Sequence, residues 1–192
     1  MLKIVITLPN AIDGEATIIR RLLANGIDIV HLRKPEAGIN YCRALLMRLT
    51  ETERSRIVIH DYATLYEEFS LRGIHQNRNI SHLPDGYNGS YTRSCHSLSE
   101  VIRYKAECDY IFLSPIFDSI SKEGYRSGFS HEELQEAANK GIIDSRVVAL
   151  GGVTPDKISY LKTLNFGGIA MSGWAYSEAN SISPREPYHQ MP

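Results

Sequence analysis

A compact (β/α)8 TIM barrel is the fold class this sequence predicts, and two observations carry that prediction. Short apolar runs alternate with longer amphipathic stretches along most of the chain, and eight such runs fit within 192 residues. Parallel strands can be joined only by a crossover connection, so this alternation specifies a parallel sheet. Eight repeats in so short a chain close the sheet into a barrel rather than leave it open.

The predicted strands are Leu2–Leu8, Ile27–Leu32, Arg56–His60, Arg72–His75, Ser90–Cys95, Asp109–Ser114, Arg146–Leu150 and Gly167–Met171. Between them, "GEATIIRRLLANG" and "NYCRALLMRLTETE" repeat apolar residues at three- and four-residue spacing, the mark of a helix with one buried face. Gly26 closes the first of these as a helix C-terminus commonly requires. Thr154 followed by Pro155 reads as an N-cap with proline at the first helical position. Two units are irregular. "QNRNISHLPDGYNGS" has no helical period, so the fourth connection is expected to be a loop, and the turn-rich tail from about residue 175 leaves the last helix short or missing. A single domain is expected over residues 1–192.

With 21 basic and 22 acidic residues the chain has a net charge of −1, which gives no excess of positive charge for nucleic acid or an anionic membrane. Cys42, Cys95 and Cys108 are odd in number and in no ligand spacing, which indicates reduced thiols. No run approaches the ~20 apolar residues of a membrane helix, and the N-terminus lacks a secretory pattern. A soluble, cytoplasmic protein is expected.

In such a barrel, chemistry sits on the loops after the C-terminal ends of strands. The second strand supplies His31, Arg33 and Lys34; the third, His60 and Asp61; the fourth, His75, Gln76 and Asn77; the fifth, Ser94, Cys95 and His96. The sixth is followed by Asp118, Ser119, Ser121 and Lys122, the seventh by Gly151 and Gly152, and the eighth by Ser172 and Gly173. Loops seven and eight commonly form a phosphate site, where glycines let backbone N–H groups approach an oxygen and Ser172 adds a hydroxyl. The same glycines also suit tight corners. His60 and His75 also suit hydrogen-bonded interior positions, and Arg33 and Lys34 a solvated basic turn. "HEELQEA", from His131, lacks the second histidine of a zinc helix at Gln135.

In order along the chain, "HLRKPE", "IVIHDY", "RGIH", "SCHSLSEV", "DYIFLSPIFDSISKEG", "VVALGGVTPDKI" and "GGIAMSGW" resemble the blocks of the thiamine phosphate synthase family and its TenI-like relatives. The resemblance implies a transferase of thiamine biosynthesis that joins hydroxymethylpyrimidine diphosphate to thiazole phosphate, releases pyrophosphate and uses Mg²⁺. Its partners would be these two small molecules, with homo-oligomerisation left open. Loss of the diphosphate would leave a pyrimidine methyl cation that the thiazole nitrogen captures. That reaction needs cations and donors at the leaving group and no nucleophilic side chain.

By the same resemblance, Arg33, Ser94 and Lys122 act on the diphosphate, Asp61 holds the metal, and Ser119 and Ser121 replace two family threonines. His31, Lys34, His60 and His96 lie in the substrate-binding blocks, with Gly151, Gly152, Ser172 and Gly173 at the thiazole-phosphate end. The chain departs from the family pattern in three places. His31 and Pro35 replace the first and last residues of Gln-x-Arg-x-Lys, and adjacent Lys34 is expected on the opposite face of an extended chain. His60 stands where the family has an Asn. The second metal carboxylate falls near Ile80, with Asn77, Asn79 or Asp85 as substitutes. The alternatives are a TenI-like thiazole tautomerase, whose sixth-strand histidine is Pro115 here, or a non-catalytic thiazole-phosphate-binding regulatory barrel.

Overall fold

The protein is described by a computed structural model that covers residues 1–77, 80, 82–118, 127–172 and 175–176. Its eight strands form a closed parallel barrel in sequence order. They are β1 Leu2–Ile6, β2 Ile29–Leu32, β3 Ile57–Ile59, β4 Gly73–Gln76, β5 Ser90–Cys95, β6 Tyr110–Leu113, β7 Val147–Leu150 and β8 Gly168–Met171. All eight predicted strands are present. Several are trimmed by one or two residues at their ends, and β4 gains Gln76.

The connecting helices are α1 Glu15–Ala24, α2 Ile39–Met47, α3 Glu51–Arg54, α4 Thr64–Phe69, α5 Leu98–Tyr104, α6 His131–Asn139 and α7 Ile158–Thr163. Local chemistry sets their ends. Gly26 takes φ +88° beyond the Asn25 cap of α1, a conformation that costs glycine little. Ser130 and Glu133 form a capping box on α6, satisfying two backbone donors that the helix start would otherwise leave open. Pro155 opens a 3₁₀ turn after Thr154, but the Thr154 hydroxyl donates to Asp156 Oδ1 at 2.5 Å instead of capping a backbone amide.

Between β4 and β5 no helix occurs among the described residues, as the composition predicts. Tyr87 holds this loop to its own strands: its hydroxyl accepts from Ile74 N at 2.8 Å and donates to Ser90 O at 2.5 Å. Gly73 permits the approach, because a Cβ there would stand 2.0 Å from the Ser90 carbonyl oxygen.

The chain divides into two compact units. One comprises Met1–Lys3 and Tyr91–Met171, with Val101, Ile111, Phe112, Leu134, Val148, Leu161 and Ile169 in its interior. The other is built on Ile4–Ser90 together with the described residues beyond Met171, and buries Ile4, Ile19, Val30, Leu46, Val58, Leu65 and Ile74. Of the last helical segment only Ala175 and Tyr176 are described. No described helix is long and apolar enough to cross a membrane.

Candidate functional site

The strands β2 and β4 each carry a histidine one residue before their end, His31 and His75, and His60 follows directly on β3. Register places His31 opposite Val58, and Ile59 opposite Ile74, so His60 and His75 follow as neighbours on adjacent strands. All three side chains are buried and converge. His31 Nδ1 lies 2.8 Å from His60 Nε2, and the rings of His60 and His75 stack at 4.1 Å with only 15° between their planes. Burial is the main force holding His31 and His60 well below the ordinary imidazole pKa, with further repulsion from His75 and, respectively, Arg72 and Arg33. Both rings are therefore neutral at pH 7, and in their contact one nitrogen donates while the other accepts. Asn77 Nδ2 donates to the His60 carbonyl at 2.5 Å and fixes the backbone at that corner.

Arg33 and Lys34 take opposite directions, as adjacent residues of an extended chain do. Arg33 is exposed, and its backbone exchanges two hydrogen bonds with the Thr7 hydroxyl, at 2.9 and 3.0 Å. Lys34 is fully enclosed. Its ammonium donates to Leu8 O at 2.9 Å, Asn10 O at 2.8 Å and Glu15 Oε1 at 2.6 Å. An ammonium has three protons, so none remains for a substrate. In the structure the Lys34 side chain, expected in a substrate-binding block, ties β2 to the segment around α1. Glu15 in turn accepts from Tyr41 on Oε2 and from Tyr176 on Oε1.

Asp61, next to His60, is buried and accepts from Lys34 N through Oδ2 at 3.3 Å. The Mg²⁺ expected from the sequence would need further oxygen ligands beside it. Ile80 is buried and apolar where the second carboxylate was sought, Asp85 lies exposed in a turn, and Asn79 is outside the described residues. Among the described residues, the group of three or more potential metal ligands is the histidine trio, a nitrogen donor set.

In the other unit, β5 carries Ser94, half-buried, and ends before exposed His96. His96 Nδ1 donates to the Ser114 carbonyl at 3.0 Å. Its backbone N–H donates to Glu100 Oε2 at 2.6 Å, while Ser97 caps α5.

Gly151 and Gly152 take φ +93° and +61°. A Cβ on Gly151 would lie 2.8 Å from Pro115 Cα, and one on Gly152 would lie 2.3 Å from Asp118 O. The segment after β6 is thus laid directly on this turn, and Ile116 N and Phe117 N donate to Leu150 O and Gly151 O. Close backbone approach is enough to require both glycines. Ser172 is half-buried after β8. Ser119, Ser121, Lys122 and Gly173, with Gly124, Trp174 and the tail from residue 177, lie outside the described residues.

A family model described as thiamine monophosphate synthase matches residues 4–173. The chain belongs to that family. Among solved structures, this family member resembles a thiamine phosphate pyrophosphorylase from Bacteroides thetaiotaomicron at 40% identity and a TM-score of 0.84, covering 97% of this chain and 90% of that one. A thiamine phosphate pyrophosphorylase from Pyrococcus furiosus shares 18% identity, with a TM-score of 0.69 over 93% of this chain and 94% of its own. A mutant tryptophan synthase alpha-subunit, also from Pyrococcus furiosus, has 11% identity and a TM-score of 0.63, covering 97% and 93%. The last two likenesses concern the fold alone. No curated protein matches the family member's sequence.

Two features of the site were missed in the sequence. One is the convergence of the three histidines, which the register between strands decides. The other is the Glu15 network, whose members give no local pattern.

Proposed function

We propose that this family member is a thiamine phosphate synthase, joining hydroxymethylpyrimidine diphosphate to thiazole phosphate with release of pyrophosphate. The observation that carries this reading is the 40% identity, over 97% of the chain, to a structure described as thiamine phosphate pyrophosphorylase. Exposed Arg33 supports it, since a planar guanidinium can meet two oxygens of a leaving diphosphate at once. Ser94 and Lys122 complete the donor set in this reading, and Ser119, Ser121, Gly151, Gly152, Ser172 and Gly173 hold the remaining phosphate groups.

A second reading, TenI-like proton transfer on the thiazole ring, is favoured by neutral imidazoles at His31 and His60. Pro115 opposes it, because a proline cannot replace the histidine of those relatives. Pyrophosphate release is measured with both substrates, with and without Mg²⁺, in the wild type and in Lys122→Ala. Release abolished by that substitution supports the synthase. Aromatisation of the thiazole tautomer without pyrophosphate release establishes the alternative.

A further inference from the structure

We propose that His31, His60 and His75 form a three-nitrogen site for a transition-metal ion of the Zn²⁺ or Co²⁺ class. This differs from the hard, oxygen-ligated Mg²⁺ that the family leads one to expect. One imidazole comes from β2, one from the residue after β3 and one from β4, so three adjacent strands fix the trio through their backbone ladder. One ring nitrogen from each lies within 4.8 Å of those of the other two, in a buried setting.

The chemistry of the donors selects the ion. Imidazole nitrogen suits Zn²⁺, Co²⁺ and their neighbours, whereas Mg²⁺ demands oxygen. The His31 Nδ1–His60 Nε2 contact holds one proton, which passes to the other nitrogen of its own ring before both atoms can ligate. Three histidines leave a fourth position of a tetrahedral ion open for water or an anionic ligand.

The required rearrangement is specific and involves the rings more than the backbone. Tetrahedral coordination with metal–nitrogen bonds of ~2.0–2.1 Å places ligand nitrogens about 3.3 Å apart. The His31–His60 contact at 2.8 Å must open by roughly half an ångström to meet that spacing. The His60–His75 stack must also turn, since a lone pair lies in the plane of its ring and two stacked rings cannot point at one ion. The Asn77 bond to the His60 carbonyl holds the backbone while the rings move.

The test uses the untagged full chain, stripped with chelator and titrated with Co²⁺ in excess Mg²⁺. One equivalent should produce the intense visible ligand-field bands of a four- or five-coordinate ion. X-ray absorption on the wild-type complex should report three imidazole ligands, a readout that does not depend on any variant folding. His31→Ala, His60→Ala and His75→Ala should each weaken binding at least about a hundredfold, while His96→Ala leaves it unchanged. Weak octahedral spectra, fewer than three imidazoles, or binding that persists in all three variants would overturn the site. Catalysis is not read in these experiments, so their failure leaves the proposed function untouched.

Discussion

Lys34 Nζ and Glu15 Oε1 lie 2.6 Å apart with both side chains fully shielded from water. Removing one member of such a pair leaves an uncompensated buried charge, which costs about 3–5 kcal/mol. Lys34→Met should lower the urea midpoint accordingly without changing the slope. Lys34→Met combined with Glu15→Leu should recover much of the loss.

Tyr176 donates to the same Glu15 oxygen at 2.7 Å. Hydrogen bonds to charged groups contribute about 1.5–3 kcal/mol, and Tyr176→Phe removes one without opening a cavity. A loss of stability in that range, measured by denaturant unfolding, is expected.

Gly152→Ala places a methyl group 2.3 Å from the Asp118 carbonyl, at φ +61°. Gly14→Ala has a similar φ of +71° but meets nothing within 4 Å. Both pay a left-handed backbone penalty of roughly 1–2 kcal/mol. Gly152→Ala should lose clearly more in thermal unfolding, and the difference between the two measures the steric part.

Burial is the first cause raising Cys42, Cys95 and Cys108, each to about 11. A pKa raised two units above 9 leaves about a hundredfold less thiolate near pH 8. An aromatic disulfide reagent should therefore react slowly with native protein and rapidly after denaturation. Because the folded values exceed the unfolded one, the unfolded state releases these protons first. Stability is fully present below pH 9 and should be lost as pH rises through 11, by up to about 1.4 kcal/mol per pH unit for each thiol.

Arg33 presents its guanidinium to solvent while its backbone is held by Thr7. If it grips a diphosphate through two parallel bonds, Arg33→Lys keeps the charge and loses the fork. In the synthase assay kcat/KM should fall about tenfold or more, a barrier change of about 1.4 kcal/mol, with the unfolding midpoint unchanged.

Much of the barrel could be read directly because its strands are short apolar runs flanked by turn residues, as at Val147–Leu150 and Tyr110–Leu113. The same alternation foretold that Lys34 would face away from Arg33. What covered Lys34 could not be read, since its partner Glu15 is 19 positions away and Tyr176 reaches Glu15 across 161. His31, His60 and His75 could each be placed at a strand end. Their meeting depends on the stagger between adjacent strands, which single segments do not encode. Gly151 and Gly152 could be read either as a phosphate cradle or as a corner. The lie of Pro115 and Asp118 shows that the corner is by itself enough to demand them.

The Glu15 carboxylate also has a bearing on the order of synthesis. It sits at the start of α1 and leaves a ribosome 161 residues ahead of one of its donors, Tyr176. The nascent amino-terminal half can bring Lys34 and Tyr41 to Glu15, but its last donor emerges only after β8 has been made. Chains arrested before Tyr176 should thus hold α1 more loosely and be cut there by protease, and release of the full chain should restore protection.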